Sequence, residues 1–170
     1  MLDTQSGSQL SVSTTAIPAS EEADLSDVEL RAWRGLVRAY DSLVKRLDAE
    51  LETTHGIGLS SYEVVCALNG APDRQMRMCD LADSVMLSRS GLTRLVDRLE
   101  RDGLIARACC HSDARGSYAV LTEAGRLRLE EARPTHLAGV RRDFVAHFSE
   151  PELRSLASLW ARVTTLERSG

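Results

Sequence analysis

Residues 87–121 constrain this 170-residue chain more than any other stretch. From Ser88 they read S-R-S-G-L-T-R-L-V-D-R-L-E-R-D-G-L-I, and they close with S-D-A-R-G-S-Y-A-V-L after a short strand-like run. Leu92, Leu95, Val96 and Leu99 recur at three- and four-residue steps, the period of a helix with one buried face. Ser88 supplies an N-cap and Asp102-Gly103 a stop. Leu104–His111 and Ser117–Leu121 then read as two strands, joined by the polar, glycine-containing loop Ser112–Gly116. Upstream, Met78–Met86 reads as a short helix with Leu81, Ala82 and Val85 inward, and Leu87-Ser88 as the turn out of it. The chain must therefore build helix, tight turn, helix and hairpin in immediate succession.

That order suits a duplex. Once its buried positions are removed, the Ser88–Asp102 helix offers Arg89, Ser90, Thr93, Arg94, Asp97, Arg98 and Arg101 outward. Arginine pairs bidentately with guanine, serine and threonine reach phosphates or base edges, and a helix N-terminus favours phosphate. In the hairpin, Asp113 can brace the loop while Arg115 at its tip enters a narrow minor groove. The net charge of −4 and pI near 5.6 exclude a protein that is basic all over, but binding fields are local. Six arginines (89, 94, 98, 101, 107, 115) face four acids (97, 100, 102, 113) between Ser88 and Arg115, so the surplus sits on the reading head.

The rest of the chain predicts a mainly α fold carrying that hairpin, and an aromatic content of only 4% agrees. Residues 1–24, rich in Ser, Thr and Gln, read as a disordered tail. Ser26 with Glu29 forms a capping box for a long helix that stops at His55-Gly56. Its stripe of Leu30, Trp33, Val37, Tyr40, Val44, Leu47 and Leu51 needs more covering surface than one small domain offers, which predicts a homodimer. Ser60 with Glu63 predicts a capping box for the next helix, ended by Asn69-Gly70, with Cys66 in its buried stretch. Thr122 caps a further helix that Pro134 should kink or restart. Ser149-Glu150-Pro151-Glu152 opens a last helix lined by Leu153, Leu156, Leu159, Trp160, Val163 and Leu166. The N-terminus lacks the basic start and apolar segment of a signal peptide, and no apolar run approaches the ~18 residues of a membrane span. Four cysteines without framework spacing complete the expectation of a reduced, cytoplasmic protein with no membrane partner.

The run Asp113–Thr122 resembles the wing signature of the MarR family of bacterial transcription regulators, and Leu87–Ile105 resembles that family's recognition helix and its exit. The likeness in element order extends from about Ser26 to Leu166. It implies a winged helix-turn-helix lobe over 59–122, with 25–56 and 123–170 of the 25–170 domain serving mainly dimerisation. Two heads would then read a pseudo-palindromic operator in double-stranded DNA. Ser88, Arg89, Ser90, Thr93 and Arg94 match the major-groove segment, Arg98 follows on the same helix, Arg115 matches the minor-groove arginine, and Asp113 orients the wing. The resemblance also implies a small-molecule effector, commonly a phenolic or other aromatic anion, bound between the dimer helices and the DNA-binding lobe. Trp33, Arg34, Arg38, Tyr40, His55 and Tyr62 lie on helices that could border such a pocket. Cys79 stands where the family often has a small hydroxyl residue capping the first helix of the motif.

The residues speak less for other function classes. A redox- or metal-responsive regulator would use Cys109, Cys110 and His111. However, neighbouring strand residues point to opposite faces, and this tripeptide alone cannot close a tetrahedral site. By resemblance, redox sensors of the family keep their cysteine near the start of the first helix, and this chain has none before Cys66. A winged-helix interaction module without DNA binding would have no use for Arg115 and the arginines before it. An enzyme is not expected: no nucleophile–base–orienter set, metal motif, P-loop or dinucleotide fingerprint occurs, so no cofactor is implied.

Overall fold

The structure, a computed structural model, describes residues 24–85, 87–109 and 117–164. Six helices and a three-stranded antiparallel sheet follow in the order α1 (Asp27–His55), α2 (Leu59–Gly70), β1 (Gln75–Arg77), α3 (Met78–Ser84), α4 (Arg89–Arg101), β2 (Ile105–Cys109), β3 (Ser117–Leu121), α5 (Glu123–Asp143) and α6 (Glu150–Thr164). The architecture is the mainly α, winged helix-turn-helix arrangement read from the sequence.

The predicted caps of α1 are present. Glu29 accepts from the Ser26 amide at 2.8 Å, Ser26 Oγ accepts from the Glu29 amide at 3.4 Å, and Gly56 ends the helix in the left-handed conformation at φ 63°. The C-terminal half of α1 packs against α5 so closely that a Cβ on Gly139 would sit 2.6 Å from Leu47 Cδ2. Asp143, at the end of α5, lies between Arg46 (3.3 Å) and Arg142 (2.8 Å), and Arg142 also reaches Glu50 of α1 at 2.8 Å. The N-terminal half of α1 is largely bare among the described residues: Trp33 is 60% and Tyr40 69% exposed.

Helix α2 departs from expectation. It begins at Leu59, its N-cap is Gly58, and the Ser60–Glu63 capping box does not form. Asp48 of α1 performs the capping instead, its Oδ1 accepting from the Leu59 amide at 2.7 Å. A carboxylate from a neighbouring helix satisfies the orphan donor as well as a local hydroxyl would. With Leu59, Tyr62, Val64, Val65 and Leu68 all buried, α2 is the central helix of one core. That core also takes in Leu51 of α1, Leu81 of α3, Leu92, Val96 and Leu99 of α4, Ile105, Ala119 and Leu121 of the sheet, and Leu129 and Ala132 of α5. Cys66, expected inside, is exposed on the outer side of α2.

Strand β3 is the middle of the sheet, between β1 and β2. Ala119 faces Met76 on one side and Arg107 on the other. Strand β1 was not expected, because three residues, Gln-Met-Arg, carry no legible alternation. It follows a turn in which Asp73 and Arg74 both hold positive φ, at 51° and 53°. Thr122 caps α5 by accepting from the Gly125 amide at 3.0 Å. Only glycine fits at 125, since a Cβ there would lie 2.2 Å from the Leu104 carbonyl oxygen. Helix α5 does not restart at Pro134. It continues as one element to Asp143, the proline being exposed while buried Leu129, Ala132 and Gly139 keep the opposite side packed. One missing donor is the cost, and it falls where water can reach the freed carbonyl. Helix α6 has no buried residue, and Leu159, Trp160 and Val163 are 48%, 39% and 59% exposed.

Candidate nucleic-acid interface

Helix α4 projects from the core on a well-defined base. Ser88 Oγ accepts from the Gly91 amide at 3.1 Å, setting the first turn, and Gly103 at φ 73° ends the helix. Leu92, Val96 and Leu99 are buried, which turns Arg89, Ser90, Thr93 and Arg94 to solvent. The hydroxyls there are already engaged locally. Thr93 Oγ1 donates to the Arg89 carbonyl at 2.8 Å, and Ser90 Oγ lies 3.4 Å from Ser88 Oγ. The guanidinium groups of Arg89 and Arg94 have no hydrogen-bond or ion-pair partner among the described residues.

The other arginines of the reading head are committed. Arg98 Nη2 donates to Ser61 Oγ of α2 at 2.6 Å, so it lies on the flank of α4 rather than on its outer face. Arg101 Nε donates to the Asp97 carbonyl at 3.3 Å. Arg107 of β2 pairs with Asp97 at 2.5 Å and reaches Glu100 at 3.6 Å. Arg107 thus neutralises two acids of α4 and ties the strand of the hairpin to the helix, which leaves the positive field concentrated at Arg89 and Arg94. At the root of the sheet Arg77 Nε donates to the Tyr118 hydroxyl at 3.0 Å.

Asp113 and Arg115, with Cys110 and His111, lie outside the described residues. Strands β2 and β3 on either side of them pair in register out to Cys109 opposite Ser117. Cys79 is exposed, with Sγ 3.3 Å from Asp80 Oδ1. It is not the cap of α3, which starts from Arg77 without a side-chain cap. Among the described residues no group of three or more His, Cys, Asp or Glu could hold a metal ion, and no helix is long and apolar enough to cross a membrane.

A cavity of about 500 Å³ opens where α1, α2, α5 and the turn before α4 meet. Tyr40, Val44, Tyr62, Glu63, Leu87 and His136 are among its walls. The Tyr62 and His136 ring centroids lie 4.5 Å apart, the rings tilted by 34°. Burial holds His136 below the ordinary imidazole range and pushes Tyr62 and Glu63 up from theirs. Of the six residues proposed from sequence for an effector pocket, Tyr40 and Tyr62 line this cavity. Trp33, Arg34 and Arg38 stand on the exposed first half of α1, away from it. His55 is committed to α5: its Nε2 lies 2.8 Å from Thr135 Oγ1, and its carbonyl accepts from Arg128. Glu63 and His136 had no sequence signal, because only the packing of α5 on α2 brings His136 to Tyr62.

The match to known proteins agrees with this geometry. The MarR family model matches residues 59–117, from the start of α2 to the first residue of β3. AbsC, a MarR family transcriptional regulator from Streptomyces coelicolor, is 33% identical over 86% of this chain and 98% of its own, with a TM-score of 0.80. Sco3205, another MarR family regulator from that organism and solved in complex with DNA, is 31% identical over 85% and 90%, with a TM-score of 0.81. The HTH-type transcriptional regulator MhqR of Bacillus subtilis (strain 168) is 25% identical over 139 residues, 82% of this chain and 93% of MhqR. The chain belongs to the MarR family of winged-helix, DNA-binding transcriptional regulators.

Proposed function

We propose that the protein is a homodimeric repressor that reads a pseudo-palindromic operator and is released by a small aromatic effector. The observation that carries the DNA reading is the pair of unpartnered guanidinium groups, Arg89 and Arg94, on the exposed first two turns of α4. In helix-turn-helix proteins these turns meet base edges. Ser88, Ser90 and Thr93 accompany them against the backbone, Arg115 enters the minor groove, and Asp113 braces its loop. On this reading 59–122 forms each head, while 25–56 and 123–170 join the two chains. The bare faces of α1 and α6 support the dimer, since a 15-residue helix without a buried residue is marginal in water until something covers its apolar stripe.

The cavity beside Tyr62 and His136 supports the effector reading, because its walls join helices of the dimer region to the turn that launches α4. An aromatic guest there would favour one head spacing over another and so bias operator affinity. The test is fluorescence anisotropy on DNA from upstream of the protein's own gene, against random DNA. Arg94→Ala should lose about 1–3 kcal/mol of specific affinity and relax the base preference at the position it reads. Wild-type protein that binds both DNAs equally would refute the reading. A promoter–operator reporter, with and without added phenol or salicylate, tests repression and release.

A further inference from the structure

We infer that Arg98 acts as a positioning residue, latching the recognition helix α4 to α2 through the hydroxyl of Ser61, rather than as a DNA contact; this rests on the DNA-binding reading above. Ser61 is the one buried polar residue among the described residues, 2% exposed within an otherwise apolar core. A buried hydroxyl needs a partner, and Arg98 Nη2 supplies it at 2.6 Å. The pair closes one side of a cleft of about 210 Å³ whose other walls include Glu52, Gly58 and Asp102.

Position on the helix points the same way. Ser90, Arg94 and Arg101 share the outer face of α4, opposite buried Leu92, Val96 and Leu99, whereas Arg98 follows Leu95 by one turn on the flank turned to α2. The opposite flank is held by Arg107 against Asp97 and Glu100. Helix α4 is thus tied on both sides, to α2 and to β2, and rolling it about its axis breaks one tie or the other. A roll of ~20° carries a side chain at ~6 Å from the axis through ~2 Å. Base-edge hydrogen bonds do not tolerate that displacement. The latch therefore sets the angle at which Arg89 and Arg94 are presented.

The two roles for Arg98 separate by salt dependence. Operator affinity is measured by anisotropy from 50 to 300 mM KCl for wild type, Arg98→Ala, Ser61→Ala, the double variant and Arg94→Ala, each shown folded by circular dichroism. A latch predicts that Arg98→Ala and Ser61→Ala each weaken binding about tenfold, with the wild-type salt slope retained and the double variant no worse than either single. Arg94→Ala, by contrast, relaxes the base preference of the operator. A phosphate contact predicts a slope smaller by about one for Arg98→Ala and no effect of Ser61→Ala, and that result overturns the inference. Hydrogen exchange on the free protein reads the latch without DNA. Amides of α4 should exchange faster in Ser61→Ala but not in Arg94→Ala, and unchanged exchange overturns the latch whether or not the protein proves to bind its own upstream DNA.

Discussion

Replacing Asp48 by alanine should destabilise the protein through a helix to which Asp48 does not belong. Its Oδ1 accepts the Leu59 amide at 2.7 Å, and α2 has no side-chain cap of its own. Loss of an N-cap costs about 0.5–2 kcal/mol, and a bond to a charged acceptor lies toward the upper part of that range. Asp48 is solvent-exposed, which moderates the value, so about 1.5 kcal/mol is expected. For a chain of this length that is roughly 3–6 °C in Tm, compared at equal protein concentration. Gly58 offers an internal check. Its φ of −70° suits any residue, but a Cβ there would lie 2.9 Å from Asp48 Oδ1 and 3.4 Å from Glu52 Oε2. Gly58→Ala should therefore displace the capping carboxylate and cost about 1 kcal/mol. In the Asp48→Ala background that clash is gone, and the same change should be neutral or stabilising by about 0.5 kcal/mol through the unfolded chain. Urea denaturation of the four proteins measures the cycle. Additive losses, or an Asp48→Ala variant within ~0.3 kcal/mol of wild type, would refute the capping argument.

Removing residues 1–24 should leave a dimer, whereas removing 150–170 should not; light scattering after size exclusion distinguishes them, and a folded dimer without α6 would defeat the proposed interface. Trp160→Asp should weaken dimerisation by at least ~3 kcal/mol, because it would bury an unpaired charge in that interface. His136 carries a pH signature. Its folded-state pKa is lowered by burial, so its neutral form is accommodated above the ordinary value near 6.5. As pH falls below that value the unfolded chain takes up the proton first, and stability is lost down to the folded pKa. His136→Phe, which keeps the ring against Tyr62, should lose less stability between pH 7 and pH 5 than wild type; parallel denaturation curves would contradict this.

Helix boundaries were legible wherever the deciding partner is local. Ser26, Ser88 and Thr122 cap through amides three residues on, and Gly56 and Gly103 stop helices through their own φ. The buried stripe of α4 follows from its period, as does the pairing of the two strands around a polar loop. These are the features that carried the family resemblance, and with it the outward set of Arg89, Ser90, Thr93 and Arg94. The long apolar stripe of α1 was legible too, as a face without enough neighbours in one chain.

Everything that depends on a distant partner had to wait for the tertiary structure. Period places Arg98 outside the core of α4 but says nothing of which helix lies on that flank, so its hydrogen bond to Ser61 had no signal in the sequence. Cys66 sits in an apolar run, yet it falls on a side of α2 where the neighbouring elements part and leave cavities. Strand β1 exists only because β3 offers it an edge, and the cap of α2 only because α1 carries Asp48 past its first turn. The sequence by itself determined the elements, their order and the kind of surface α4 presents, since those follow from short-range sterics and local hydrogen bonds. Tertiary structure alone decided which arginines remain free to meet a duplex, because a guanidinium is spent or available according to what packing brings within 3 Å of it.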